Sequence, residues 1–174
     1  MVIQLRPLTE PEYHCFFQKY VSDPIMEPFP FVYNREAVER SYVYNYQVRK
    51  QYAHYGIFEE EEPVGCFQLK RMDEKNKSCE FGIILRDDSC KNRGIGTQAI
   101  RMGMNLARTC YGMKTILGDT ASRNKRMIRV FEKLDFTLIE TVPGAFRLTD
   151  GRPDDRLVYR KDLNECSGEG ELVP

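Results

Sequence analysis

CKNRGIGTQAI, residues 90–100, places two glycines one residue apart, behind a small basic cluster and ahead of a helical run. A helix N-terminus exposes unpaired N–H groups and carries about half a positive charge, so it binds phosphate. Glycines at 94 and 96 let the backbone approach such a group with no Cβ in the way. Lys91 and Arg93 add positive charge beside them. The stretch fits a pyrophosphate cradle; the alternative is a plain strand-to-helix turn. Several unrelated folds build such a cradle, so the flanking chain has to decide.

Upstream, SCEFGIILR (78–86) is the most strand-like stretch of the chain. Its alternation puts Phe81, Ile83 and Leu85 on one face and Glu80, Gly82, Ile84 and Arg86 on the other. Downstream, the helix opened by the glycines carries Ala99, Met102, Leu106, Cys110 and Met113 on one side and Arg101, Asn105 and Arg108 on another. A short strand, KTILGDT, follows. Asn124–Leu134 then reads as a helix with Met127, Phe131 and Leu134 inward, and two strands near 136–142 and 156–161 close the pattern.

At the other end, Val2–Arg6 alternates as a strand. Thr9 and Glu12 have capping-box spacing for a helix to about Tyr20, with Pro11 tolerated in its first turn. Pro24, Pro28 and Pro30 make SDPIMEPFPFVYN a shaped loop. Asn34 caps a second helix with Val38, Tyr42 and Tyr46 on one side, and two strands around 52–58 and 64–72 follow. The order is β-α-α-β-β-β-α-β-α-β-β. It predicts an α/β domain over 1–163, with a mixed sheet flanked by helices on both faces. The acidic, apolar-poor tail 164–174 is expected to be disordered.

The chain has 174 residues, 41% hydrophobic and 30% charged, enough for one domain with its own core. Lys plus Arg and Asp plus Glu balance at 26 each, so no global charge points to nucleic acid. No apolar run approaches the roughly 20 residues of a membrane helix. Six cysteines without a C-x-x-C pair, and only two histidines, speak against a metal site. The expected compartment is the cytoplasm.

A dinucleotide fold is the serious rival, because GIGTQA satisfies G-x-G-x-x-A and Asp119 ends the next strand. In that fold the first glycine follows its strand directly, whereas DDSCKNR intervenes here. Too little chain follows Asp119 for a second β-α-β half. The G-x-x-x-x-G-K-[ST] loop of nucleoside triphosphate enzymes does not occur.

KNRGIG (91–96) resembles the acetyl-CoA signature of the GNAT superfamily of N-acetyltransferases, Arg/Gln-x-x-Gly-x-Gly/Ala, with Lys91 in the first place. EFGIILRDD (80–88) is similar to that family's central strand. NKRMIRVFEKLDF (124–136) is similar to its next motif, with Asp135 where the family has glycine. DGRPDDRLVY (150–159) and the opening LRPL resemble the ribosomal-protein N-terminal acetyltransferase (RimJ/RimL-like) branch. The resemblance covers about 1–163. It implies the GNAT fold: a twisted, mostly antiparallel mixed sheet of about seven strands with about four helices.

The resemblance also implies acetyl transfer from acetyl-CoA to a primary amine by direct attack in a ternary complex. Lys91, Asn92, Arg93, Gly94, Ile95, Gly96 and Thr97 would then hold the pyrophosphate, and pantetheine would lie along Ile84, Leu85 and Arg86. A backbone N–H of that strand would serve the thioester oxygen. Asn124 is a pantetheine contact, a helix cap, or both. Glu80, fourteen residues before Gly94, stands where histone-acetylating members keep a catalytic glutamate; it is a base or the partner of an arginine. Phe131, a further expected coenzyme contact, stands where many relatives have a tyrosine, so the general acid stays unassigned, with Tyr159 or water as alternatives. Glu27 is the candidate for holding a cationic acceptor. Relatives are often homodimers. A non-catalytic acyl-CoA-binding module on the same fold is the alternative.

Overall fold

The computed structural model describes residues 2–147 and 150–163. The tail 164–174 lies outside them. Seven strands form one sheet in the order β1-β2-β3-β4-β5-β7-β6. They are β1 (Ile3–Arg6), β2 (Ala53–Glu59), β3 (Glu62–Asp73), β4 (Ser78–Leu85), β5 (Thr115–Ala121), β6 (Thr137–Arg147) and β7 (Pro153–Asp162). The helices are α1 (Glu10–Lys19), α2 (Arg35–Val43), α3 (Ile95–Thr109) and α4 (Lys125–Lys133). Every pairing is antiparallel except β4 with β5, which is parallel. The expected α/β architecture is what forms.

Local chemistry starts and stops the helices as the sequence suggests. The Glu12 carboxylate accepts from the Thr9 N–H at 2.8 Å and is gripped by Arg6 at 2.7 Å, which fixes the entry to α1. Asn34 Oδ1 accepts from the Ala37 N–H at 2.9 Å and caps α2. Past Val43 the chain widens into a π-turn, Tyr44–Val48.

The two sheet faces carry separate cores. One packs α3 and α4 on Phe67, Phe81, Ile116 and Tyr159; the other packs α1 and α2 on Phe58 and Cys66. The inward stripe of α3 differs from the expected one. It runs Ile95, Ala99, Ile100, Gly103, Ala107, while Leu106 is half-buried and Cys110 is exposed. Gly103 accounts for the difference: a Cβ there would lie 2.0 Å from Phe67 Cζ, so the helix can approach β3 closely only with glycine at that point.

Asp135 ends α4 with φ +56°, in the left-handed region expected of the glycine it replaces. Its carboxylate is 90% exposed and 4.0 Å from Lys161, too weak a pair to offset the backbone cost. Asp135→Gly is therefore expected to raise stability by about 1 kcal/mol in urea unfolding. An unchanged or lowered midpoint would show that the left-handed cost is compensated elsewhere.

Candidate functional site

β4 and β5 touch along only Ser78–Glu80 and Thr115–Leu117. Beyond Glu80 the two strands part, and the gap is a cleft of about 560 Å³. The far end of β4 stays bound to β3, because the Arg86 N–H donates to Val64 O at 2.9 Å. Successive N–H groups on a strand point to opposite sides, so the Leu85 N–H points into the gap. Of the three residues expected along pantetheine, Ile84 and Leu85 line the cleft and Arg86 does not. The Arg86 guanidinium is held by Asp87 at 2.8 Å and Glu62 at 2.7 Å. Leu85, not Arg86, offers the free donor.

The floor of the cleft is the start of α3. Gly94 caps it in the left-handed region, at φ +84°. The N–H groups of Ile95, Gly96 and Thr97 belong to the first turn and have no acceptor within the helix. The first carbonyl of the helix, Gly94 O, is taken by Gln98 N at 3.0 Å. A Cβ at Gly94 would meet nothing within 4 Å, and at Gly96 only Ile83 Cδ1 at 3.9 Å. The space in front of both glycines belongs to the cleft, which they line with Lys91, Asn92 and Thr97. A diphosphate fits this place: free donors, positive helix end, no side chain in the way.

Arg126, Arg129 and Lys133 of α4 line the same cleft and extend the positive charge along it. The sequence reading passed over them. Their 126/129/133 spacing on one helix is the available signal, interleaved with the apolar residues Met127 and Val130.

Two other expected coenzyme contacts are placed elsewhere. Arg93 pairs with Glu59 at 2.6 Å, away from the lining, while Ile95 buries only its side chain in the core and keeps its N–H in the donor bed. Phe131 is buried too, its ring stacked on Tyr159 at 4.2 Å, so neither residue lines the cleft. Asn124 caps α4, accepting from Met127 N at 3.2 Å, and also lines the cleft, so both of its readings stay compatible.

Glu80 sits at the closed end of the gap and is not part of its lining. Both carboxylate oxygens accept from Arg71 Nη1, at 2.9 and 3.0 Å. Arg71 reaches it from an irregularity in β3 where its own φ is +51°. The arginine-paired alternative for Glu80 is the one the geometry displays.

The opposite wall comes from the proline-rich loop after α1, through Tyr20, Asp23, Met26 and Glu27. Glu27, expected on this side, is there. The loop is shaped by its own bonds: Met26 N and Glu27 N donate to Asp23 O at 2.9 and 2.8 Å, and Phe31 N donates to Ser22 Oγ at 3.1 Å. The Tyr20 hydroxyl donates to the Glu27 carboxylate. Burial, then that carboxylate, pushes the Tyr20 hydroxyl far above the usual phenol range, so it stays a donor. Asp23 pairs with Lys91 at 2.8 Å and with Arg126 at 2.6 Å. Burial pushes its carboxyl up, but these cations and the Ile25 N–H hold it below the usual range.

No helix among the described residues is long and apolar enough to cross a membrane. Among the same residues no cluster of three or more His, Cys, Asp or Glu side chains could hold a metal ion.

Comparison with known proteins agrees with this geometry. Residues 3–137 match the family described as the Acetyltransferase (GNAT) domain. Among solved structures, the chain is similar to a spermidine N-acetyltransferase SpeG chimera from Vibrio cholerae and hSSAT. The TM-score is 0.82 at 17% identity, over 92% of this chain and 95% of that one. It is equally similar to RimL, a ribosomal L7/L12 alpha-N-protein acetyltransferase in complex with coenzyme A. There the TM-score is 0.82 at 20% identity, over 93% and 94% of the two chains. At these identities the likeness carries the fold alone. In sequence, the chain is 25% identical over 89 residues to YwnH of Bacillus subtilis (strain 168), whose name assigns it provisionally to phosphinothricin acetylation. That match spans 51% of this chain and 53%, about half, of the curated relative.

Proposed function

Because the chain belongs to the acetyltransferase (GNAT) domain family, we propose that it moves an acetyl group from acetyl-CoA to a primary amine by direct attack in a ternary complex. The observation that carries this reading is the parting of β4 from β5 above the left-handed cap of α3. One gap offers a strand N–H and, at its floor, a bed of helix N–H groups. Bound acetyl-CoA would supply the activated thioester acyl group.

The chain's own residues do the rest. Gly94, Ile95, Gly96 and Thr97 offer backbone donors to the diphosphate, with Lys91 and the α4 cations beside them. The Leu85 N–H is the donor for oxygen charge that develops during transfer. The acceptor enters on the loop side, where Glu27 holds the cationic amine and takes its proton. The acidic wall favours a cationic acceptor. The acceptors in the names of the relatives, spermidine, a ribosomal-protein N-terminus and phosphinothricin, are amines, and a peptide N-terminus or a small-molecule amine both fit here.

A second reading keeps the coenzyme but drops the chemistry. It is favoured by Phe131, which has no hydroxyl to protonate a leaving thiolate, and by the Glu80–Arg71 pair. A free thiol has a pKa of about 8.5, so the leaving group needs little help, and catalysis without a dedicated acid is sound. The deciding measurement is thiol release from acetyl-CoA with peptide N-termini, polyamines, aminoglycosides and amino-acid-like amines. Amine-dependent thiol is expected. Coenzyme binding with no thiol from any acceptor would make the protein a sensor.

A further inference from the structure

We propose that Asp23 is a positioning residue that couples the acceptor loop to the phosphate end of the coenzyme site, because its carboxylate holds the two cations that the diphosphate requires. The inference rests on the acetyl-CoA reading above and adds a residue that neither the sequence pattern nor the comparisons assign.

Asp23 Oδ2 accepts from Lys91 Nζ at 2.8 Å and from Arg126 Nη2 at 2.6 Å, while Oδ1 accepts from the Ile25 N–H at 3.0 Å. Its backbone carbonyl takes Met26 N and Glu27 N. One residue thus ties the approach to α3, the first turn of α4 and the turn that carries Glu27. Asp23, Lys91 and Arg126 all line the cleft, in company with Gly94 and Gly96. Lys91 is further engaged by Asp88 at 2.7 Å, which leaves it no idle charge.

An anionic diphosphate on the Gly94–Thr97 amides would share one cleft, and the same two cations, with this carboxylate. Like charges repel, and the two cations cannot serve both anions at full strength. Coenzyme binding therefore draws Lys91 and Arg126 away from Asp23. The loop then loses the ion pairs that fix it across the cleft mouth, and the Tyr20–Glu27 end is released to receive the amine. The arrival of the coenzyme thus resets the acceptor wall.

The test is calorimetry of coenzyme A binding to the full chain, its Asp23→Asn variant and its Asp23→Ser variant. Either replacement still offers an oxygen to the Ile25 N–H, so the turn has its local bond, and melting curves check the fold. Removing the competing charge is expected to tighten coenzyme A by about 5- to 10-fold at low salt. The gain should shrink as salt rises but persist in part near about 0.5 M, because Asp23 and Lys91 are largely buried and are screened less than exposed charges. A residue that merely braces the fold would loosen binding when lost, so the sign separates the two. Unchanged or weaker binding in both variants, with a normal wild-type titration, overturns the coupling alone. No binding by the wild-type chain overturns the acetyl-CoA reading and the coupling with it.

Discussion

Glu27→Gln is expected to lower turnover by about 10²- to 10³-fold while leaving coenzyme A affinity within about twofold of wild type. An acceptor amine with a pKa near 10 arrives mostly protonated at neutral pH and cannot attack until it loses that proton. The carboxylates lining the cleft among the described residues are Asp23 and Glu27. Asp23 has both oxygens committed, to Lys91, Arg126 and the Ile25 N–H. Glu27 takes one hydroxyl, from Tyr20, and has lone pairs left. Glutamine keeps the length and the Tyr20 bond but neither attracts an ammonium nor accepts its proton. Tyr20→Phe removes the orienting donor and should cost less, about tenfold. Glu80→Gln is the contrast: its partner Arg71 is 69% exposed, and the loss should stay within about threefold. Steady-state thiol release alongside calorimetry reads all three. A fully active Glu27→Gln with a dead Glu80→Gln would return the base to β4.

That reassignment shows where sequence reading stops. Spacing from Gly94 puts Glu80 on β4, but spacing carries no information on where β4 and β5 part. The pairing ends at Glu80, so the residue lies at the apex of the gap and not along it. The β3 irregularity that delivers Arg71 to Glu80 is equally silent in the sequence, because nothing in KRMD demands φ +51° at Arg71. The strand and helix order, by contrast, follows from periodicity and caps. The cradle follows from two glycines whose side of the helix must stay open. The sequence narrows the thioester donor to a backbone N–H near Ile84–Arg86, and the alternation of N–H directions favours Leu85 within that range. The acceptor wall was half legible: prolines announced a shaped loop and Glu27 its charge. Contacts of Asp23 with Lys91 and Arg126, 68 and 103 residues away, exist only once the chain is folded.

The largest stability effect is expected at His54, near the start of β2. Its side chain is buried, and neither Nδ1 nor Nε2 has a hydrogen-bond partner among the described residues; the Tyr52 hydroxyl beside it has none either. Aromatic rings enclose it: Tyr13 of α1 at 5.6 Å, Tyr46 of the π-turn at 5.3 Å and Tyr52 at 6.1 Å. Arg49, stacked on Tyr52 at 3.8 Å, is the nearby charge. Burial first, then Arg49, lowers the imidazole from 6.5 to about 4. The sign follows from proton counts. Above pH 6.5 the ring is neutral in both the folded and unfolded chain, and the group contributes no pH dependence. Between 6.5 and 4 the unfolded chain takes up the proton and the folded chain refuses it, so stability falls as pH falls. A gap of that size is about 3 kcal/mol, a few hundred-fold in the unfolding constant. Glu12 and Asp87, both held near about 2 by their partners, lose their contributions only at lower pH, so the upper part of the histidine window stands clear. Urea unfolding from pH 7 to 4.5 should show the decline in wild type and a much flatter profile in His54→Phe. At pH 7 the same variant should gain about 1–3 kcal/mol, because phenylalanine leaves no unpaired nitrogen among those rings. A parallel decline in both chains would place the titrating group elsewhere, and a loss of stability at pH 7 would mean that the imidazole has partners the folded chain supplies by relaxing around it.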